Sequence, residues 1–229
     1  MRTTFSRLML VAMCAAFTLP LVAHAEPLTL KQAEVTPPDE VVSEMRDVLN
    51  PKAVQLLDGD KPVFEFWFRK DIPLKSTPSE GASALSLIDE VTYLGAVRVH
   101  ERRKDFRNDD IEPGVYTMRL GILPTDGNHL GTSPFPYMAI LVPAQYDEGL
   151  DAIPDHDTLA ELSGQDTYAE HPNTLSLQPL EGDEAEGDFP RTGEGGDDWQ
   201  LVYLRLPAKA DGAEAELAFK MVYEGHGEI

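Results

Sequence analysis

Cysteine is almost absent from this chain. Of the 229 residues only Cys14 carries a thiol, and it lies in an apolar stretch near the N-terminus. If that stretch is removed, disulfides, cysteine nucleophiles, cysteine-ligated zinc, iron–sulfur clusters and type 1 copper centres are all excluded, because each needs a thiolate. Stability must then come from packing, which a domain of about 200 residues supplies by burying about 70% of its unfolded surface.

Basic residues are also scarce. Lys and Arg number 19 against 40 Asp and Glu, which gives a formal net charge of −21. This charge argues against nucleic acid as a partner, because phosphate neutralisation dominates such binding. It disfavours anionic membrane surfaces for the same reason. An acidic surface also keeps a protein soluble and apart from its neighbours.

Common catalytic signatures are missing as well. The chain has no Gly-x-Ser-x-Gly elbow, no His-Glu-x-x-His, no phosphate-binding glycine-rich loop and no dinucleotide fingerprint. Carboxylates are so abundant that no glycosidase pair stands out among them. The sequence therefore predicts no cofactor and favours a protein that is not an enzyme.

An export signal is present at the N-terminus. Arg2 and Arg7 precede an apolar run over residues 8–21, and Ala23-His24-Ala25 has the small residues of a cleavage site. We interpret residues 1–25 as a signal peptide. The run is shorter than the roughly 20 apolar residues of an uncleaved anchor, and bulky Met13 disfavours lipidation of Cys14.

Cleavage after residue 25 increases the excess of acidic over basic residues. It removes 25 of the 229 residues, two of the 19 basic ones, none of the 40 acidic ones and the only thiol, which leaves 204 residues with a net charge of −23. We expect this mature chain to be periplasmic or secreted, with no membrane span after signal cleavage and with an unknown envelope or extracellular ligand as its partner.

The first part of the mature chain predicts a leader and a helix. Residues 26–38 are polar and rich in proline, which indicates an exposed leader. Residues 39–50 then place Val41 or Val42, Met45 and the pair Val48-Leu49 on one face at helical spacing. We expect one short amphipathic helix, ended by Pro51 and docked on the domain that follows.

From residue 53 onward the apolar period changes to two. Alternating or continuous apolar runs predict about eight strands, a pattern typical of an antiparallel sandwich or barrel. We expect an all-β fold, an antiparallel β-sandwich, as a single domain over residues 39–229. The predicted strands cover residues 53–57, 63–69, 91–100, 115–122, 137–142, 175–177, 199–206 and 217–223.

Two irregular insertions interrupt these strands. Residues 155–163 predict a short helix capped by Asp155. Residues 181–198 hold eight acidic residues and five glycines with only Arg191 to balance them. Such a segment buries little apolar surface, so we expect a mobile acidic loop.

One motif carries a resemblance to a known class of domain. Glu112-Pro113-Gly114-Val115-Tyr116 resembles the Pro-Gly-x-Tyr corner of exported immunoglobulin-like β-sandwich proteins, in which the tyrosine fills the core and its hydroxyl returns to the backbone. The longer segment from Pro113 to Gly131 resembles uncharacterised secreted bacterial proteins. The resemblance implies architecture and no activity, and the cysteine pair of true immunoglobulin domains is missing.

The best candidate for a ligand site is the loop over residues 123–136. It contains Asp126, Asn128 and His129, and it is longer than an ordinary hairpin connection. Asp126 and His129 could hold a divalent metal or orient a water molecule. The alternative interpretation is an ordinary turn with an exposed histidine.

Other histidines could complete a metal site. His100, His171 and His226 lie at strand ends, so together with Asp126 and His129 they leave room for a divalent metal such as zinc or copper. No two of the histidines have ligand spacing in the sequence, and surface roles are the alternative for them.

Two tryptophans offer a third possibility. Trp67 or Trp199 on an open strand face could stack on a sugar ring, as in a carbohydrate-binding module. For Trp67 the alternative is a second buried face against the N-terminal helix. The sequence as a whole predicts an exported, non-enzymatic binding or structural protein. A metal-binding protein or metal-dependent enzyme and a carbohydrate-binding module are the alternatives.

Overall fold

The fold is seen in a computed structural model. It describes residues 27–79, 83–123, 133–165, 172–196 and 199–225. The segment interpreted as a signal peptide lies outside these ranges. No helix among the described residues is long and apolar enough to cross a membrane.

Strands dominate the described chain, and the helices are short. The strands are β1 (Thr29–Glu34), β2 (Lys52–Asp58), β3 (Lys61–Phe68), β4 (Ile72–Leu74), β5 (Tyr93–Val99), β6 (Arg103–Lys104), β7 (Asp110–Ile111), β8 (Gly114–Ile122), β9 (Tyr137–Pro143), β10 (Thr174–Pro179), β11 (Arg191–Glu194), β12 (Gln200–Ala210) and β13 (Ala213–Glu224). The α-helices are α1 (Ser43–Asp47) and α2 (His156–Ser163), and 3-10 turns cover Ala84–Leu87, Ala144–Tyr146 and Gly182–Ala185.

Eleven of these strands form one continuous curled sheet. Its order is β1-β2-β3-β5-β8-β9-β10-β13-β12-β11, and β4 adds a parallel pairing to β12. The two ends of this path, β1 and β11, approach each other in space. The predicted all-β class is confirmed. The expected sandwich is not seen among the described residues, because the strands continue in one sheet instead of dividing into two facing sheets.

The inner face of the curl is a continuous apolar core. Phe64, Phe66 and Phe68 of β3 all point into it, as the alternation of apolar residues predicts, and their rings stack at centroid distances of 5.5 and 6.0 Å. Strands from both halves of the sheet contribute to the same cluster, which includes Leu206 and Phe219. Among the described residues, apolar side chains of this core surround a small void of about 10 Å³.

Two further apolar clusters lie on the outer face. The first packs Val41, Met45 and Leu49, from α1 and its flanks, against Trp67 and Tyr93 of the sheet. It confirms the short N-terminal helix and its docked face. The second is covered by α2, whose N-cap Asp155 accepts from the Thr158 backbone N–H at 2.9 Å, as predicted.

All eight predicted strands are present, and five more were missed. The predicted segments match β2, β3, β5, β8, β9, β10, β12 and β13. Among those missed, β1 lies within the predicted leader and pairs with β2 over its whole length. Its residues are mostly exposed, so it carries little of the apolar signal from which strands are predicted.

The acidic segment contains regular structure that its composition did not predict. It includes the 3-10 turn Gly182–Ala185 and β11. The Glu184 carboxylate accepts from Lys220 Nζ at 2.8 and 2.9 Å and from the Tyr203 hydroxyl at 3.2 Å. Arg191 lies between the rings of Phe189 and Tyr203 at 4.7 and 4.4 Å. The mobility expected for this segment stays a prediction.

Candidate functional site

Four side chains form a row across the outer face of the sheet. Gln55 on β2 lies opposite Glu65 on β3, and Glu65 lies opposite Arg98 on β5. Arg98 in turn lies opposite Val115 on β8. Opposed residues on one face of an antiparallel pair have Cβ atoms about 5 Å apart. An amide, a carboxylate, a guanidinium and an aliphatic side chain are therefore brought side by side.

Glu65 organises this row. The residue is only 6% exposed, and its carboxylate accepts from Gln55 Nε2 at 2.7 Å and bonds to His100 Nε2 at 2.8 Å. Because a carboxylate only accepts, His100 Nε2 donates this hydrogen bond, and in an uncharged imidazole with that tautomer Nδ1 is an acceptor. Among the described residues Nδ1 has no partner. Glu65 thus fixes the orientation of the imidazole, while its other nitrogen is available to a ligand.

Two ion pairs flank His100. Arg98 Nη2 lies 3.4 Å from Glu40 Oε2, and these side chains are 33% and 55% exposed. Arg102 Nη2 lies 2.7 Å from Glu112 Oε1. Glu40 comes from the segment before α1, so its contact with Arg98 depends on the docking of that segment.

These residues line an open groove of about 550 Å³. The lining includes both carboxylates of the ion pairs, Arg98 and His100, with Val115 and Ala144 as apolar patches. Small-molecule sites usually measure about 300–1,000 Å³. The groove is therefore large enough for a ligand of the size of one sugar ring or a dipeptide.

Tyr116 supports the groove from the core side. Its ring is 6% exposed, and its hydroxyl donates to the Glu112 carbonyl at 2.8 Å. Burial, with a smaller contribution from the Glu112 charge, raises the pKa of Tyr116 to about 12. The hydroxyl is therefore a donor at neutral pH, and the predicted return of this tyrosine to the backbone is confirmed.

A second, buried charge pair lies on the same outer face between the two apolar clusters. Arg119 of β8 and Asp147 are 1% and 0% exposed, and Nε and Nη2 donate to the two carboxylate oxygens at 2.8 Å each. The remaining donors reach the carbonyls of Val91, Leu150 and Gly149. All five donors are thereby used, so this pair is structural and has nothing left to offer a ligand.

Another histidine and glutamate meet at the start of α2. His156 Nδ1 lies 2.8 Å from Glu90 Oε1, which also accepts from the Ile122 backbone N–H at 3.1 Å. This pair ties α2 to the end of β8. It lines an open groove of about 390 Å³ whose other polar residues are Asp155 and Asp157.

Of the two tryptophans predicted to bind sugar, Trp67 is closed to solvent. Trp67 is 0% exposed, its Nε1 donates to the Val35 carbonyl at 2.8 Å, and it packs in the cluster beneath α1. The alternative interpretation, a second buried face, is what the structure shows, because the ring has no free face for stacking. Trp199 is half-buried, with its ring edge to face with Phe106 at 6.4 Å.

His100 is the one predicted metal ligand that the structure describes. It is hydrogen-bonded to Glu65. Within the described ranges, no set of three or more His, Cys, Asp or Glu side chains could hold a metal ion. The other candidates lie outside the described residues: Asp126, Asn128, His129, His171 and His226.

Comparison with known proteins identifies no relative of this chain. No protein-family model matches the chain, and neither a curated protein nor a solved structure matches it. The resemblance of Pro113 to Gly131 to immunoglobulin-like and secreted proteins therefore has no independent support.

Only part of this groove is predicted by the sequence. Strand alternation places Glu65 on the face opposite the Phe64 side, and His100 was a candidate for a different role. Arg98, Glu40 and Glu112 were missed. The signal for Arg98 was its position two residues before His100 in one strand, which puts both on one face.

Proposed function

We propose that the protein is an exported, non-enzymatic binding protein of the cell envelope or extracellular space. We propose that it holds a small polar ligand in the groove between Glu40 and Glu112. The observation that carries this proposal is the His100 imidazole, which lines the groove and is oriented by buried Glu65, while its Nδ1 has no partner among the described residues.

The small void in the core supports an external site. Curled sheets can enclose a ligand, but here the inner void of about 10 Å³ is lined by apolar side chains such as Phe68 and Met118. That volume is close to the minimum for a single water molecule. A ligand of several atoms does not fit in that void, whereas the groove on the outer face offers about 550 Å³.

Preorganisation supports binding at this groove. Gln55 holds one oxygen of Glu65 and His100 holds the other, so the imidazole does not have to be ordered when a ligand arrives. Fixing polar groups before association lowers the entropic cost of binding. The same arrangement could serve a proton transfer, which the experiment below distinguishes from binding alone.

Export is the second part of the proposal. It rests on the basic, apolar and small-residue order of residues 1–25. Secretion from a bacterial host should yield a mature chain that begins at Glu26, as measured by N-terminal sequencing. A chain that retains residues 1–25 in the membrane fraction would contradict it.

The binding proposal is tested with a panel of sugars, sugar acids, amino acids and short peptides. Binding to the mature protein is measured by ligand-observed NMR. The groove variant Arg98→Met/His100→Gln should lose binding of any ligand that the wild-type protein holds there. Lys209→Met is the matched control, because Lys209 is an exposed cation of a different groove, lined also by Lys70 and Asp71.

Three outcomes would overturn the proposal or part of it. If every bound ligand binds the groove variant as well as the wild type, the site is elsewhere. Conversion of a bound ligand into product would show an enzyme instead of a binding protein. A rise in melting temperature with zinc or copper that the groove variant retains would favour the metal-binding alternative.

A further inference from the structure

Arg98 and His100 present two different hydrogen-bonding functions at the end of β5, where His100 follows the last residue of the strand. They lie two residues apart on the outer face of the sheet, about 7 Å along the strand direction. Arg98 contributes a charged guanidinium, which always donates. His100 donates from Nε2 to Glu65, and its uncharged form contributes an acceptor at Nδ1.

The Arg98 guanidinium is largely unused by the protein. Among the described residues its side chain makes a single hydrogen bond, from Nη2 to Glu40 Oε2 at the long distance of 3.4 Å. By comparison, all five donors of Arg119 are satisfied. Arg98 therefore has donors available for a planar, bidentate acceptor.

Glu40 is a weakly held partner for this guanidinium. Its side chain is 55% exposed, and exposed ion pairs contribute little because water and salt screen them. A carboxylate that reaches both Nη and Nε of Arg98 would bind better than this one long contact. The position of Glu40 thus marks where a carboxylate from a ligand would lie.

Glu112, the other acidic residue that lines the groove, repels a carboxylate ligand only weakly. Glu112 is paired with Arg102 at 2.7 Å. Buried Glu65 is engaged by Gln55 and His100. When Glu40 moves aside, Arg98 is the charge that faces the groove, and the net negative charge of the chain is screened beyond about 8 Å at physiological salt.

We propose that the groove binds a small carboxylate that carries a hydroxyl or N–H donor near it, and that Glu40 occupies the carboxylate position in the free protein. Arg98 binds the carboxylate and His100 Nδ1 accepts from the neighbouring donor. This inference rests on the proposed function and names the ligand class of the same site.

The test uses two sources of this chemistry and a neutral analogue of each. D-glucuronate and N-acetylglycine are the carboxylates, and D-glucose and N-acetylglycinamide are the analogues. Dissociation constants are measured by NMR titration of the mature protein at physiological salt. We expect one carboxylate or both to bind at least tenfold more tightly than the matched neutral analogue, and the difference between the two identifies the source.

Glu40→Gln is the decisive variant. It removes the competing charge and keeps the shape, so carboxylate binding should tighten by about two- to fivefold, the range that an exposed ion pair supports. Arg98→Met should weaken carboxylate binding at least tenfold, and Lys209→Met should leave it unchanged. Circular dichroism and urea unfolding confirm that each exposed-site variant is folded.

Failure of this inference can be told apart from failure of the proposed function. If neutral analogues bind as well as the carboxylates, or if Glu40→Gln weakens or does not alter binding, the ligand class is wrong while a groove ligand remains. If neither carboxylate binds but another panel ligand depends on Arg98 and His100, only the inference is overturned. If nothing in the panel depends on the groove, both are overturned.

Discussion

Two arginines on neighbouring strands of one sheet face show opposite uses of the same side chain. Arg119 on β8 is 1% exposed and donates five hydrogen bonds, two of them to the carboxylate of Asp147. Arg98 on β5 is 33% exposed and makes one long hydrogen bond, to Glu40. Both face outward from the same curled sheet.

The two arginines differ in how deeply the guanidinium is buried and in how many of its donors are hydrogen-bonded. The pair formed by Arg119 and Asp147 lies between two apolar clusters, with Tyr93 against the guanidinium at 5.8 Å. Burial, with the Asp147 charge adding to it, raises the pKa of Tyr93 above its ordinary value. Water is excluded there, so broken bonds are costly. Arg98 is open to solvent, so water or a ligand can replace its hydrogen bond to Glu40 at little cost.

Removing the buried carboxylate should have the largest effect. Asp147→Asn leaves the Arg119 charge buried without a counter-charge, so we expect a loss of about 3–5 kcal/mol in the free energy of unfolding. Urea unfolding measures it. Glu148→Gln, an exposed neighbour, is the control and should change little. A loss below about 1 kcal/mol for Asp147→Asn would show that the pair is not held away from water.

Substitution of Glu65 should lower the free energy of unfolding by an intermediate amount, because Glu65 is buried but contacts His100, which lines the open groove. Glu65→Ala leaves the Gln55 amide and the His100 imidazole without their acceptor, which should cost about 1–3 kcal/mol. Urea unfolding is compared with Glu34→Ala on exposed strand β1. Glu65→Gln keeps an acceptor and should recover part of the loss. Equal stability of the two alanine variants would remove the basis for an oriented His100.

The partly buried carboxylate of Glu184, in the acidic segment, is an intermediate case between the buried and the exposed charge pairs. Partial burial raises the pKa of Glu184, but hydrogen bonds from Lys220 and the Glu181 backbone N–H outweigh it and hold the pKa below its ordinary value. Ionised Glu184 therefore supports the folded segment above the ordinary pKa, and this support is lost as the pH falls through the lowered one.

We expect Glu184→Gln to speed hydrogen exchange over residues 181–196 at pH 7, with a cost in global stability below about 1 kcal/mol. The difference from wild type should shrink in acid, where Glu184 is protonated. Glu186→Gln, which is exposed, is the control. Fast exchange in the wild type itself would confirm the predicted mobility and show that Glu184 does not hold the segment.

Glu40→Gln should have the smallest effect on folding. The exposed pair with Arg98 contributes less than about 1 kcal/mol, so the urea midpoint should stay close to that of the wild type while ligand binding changes. A loss as large as that of Asp147→Asn would mean that both arginines are structural, and the contrast between them would disappear.

The sequence predicts the strands of this protein better than its groove. Alternation identifies β3 and the inward phenylalanines, because burial on one face imposes a period of two on the side chains. It misses β1 and β11, which are polar edge strands. The pairs that matter join distant residues: Glu40 is 58 positions from Arg98, and Glu65 is 35 positions from His100.

By itself the sequence determined the acidic charge, the nearly thiol-free composition, the all-β class and the direction in which most strand side chains face. Only the tertiary structure decided that the strands form one curled sheet around an apolar core, that the N-terminal segment covers Trp67 and that Glu40 reaches Arg98. The physical reason is that strand composition sets which face is apolar, whereas long-range pairing sets which side chains meet and how much water remains between them.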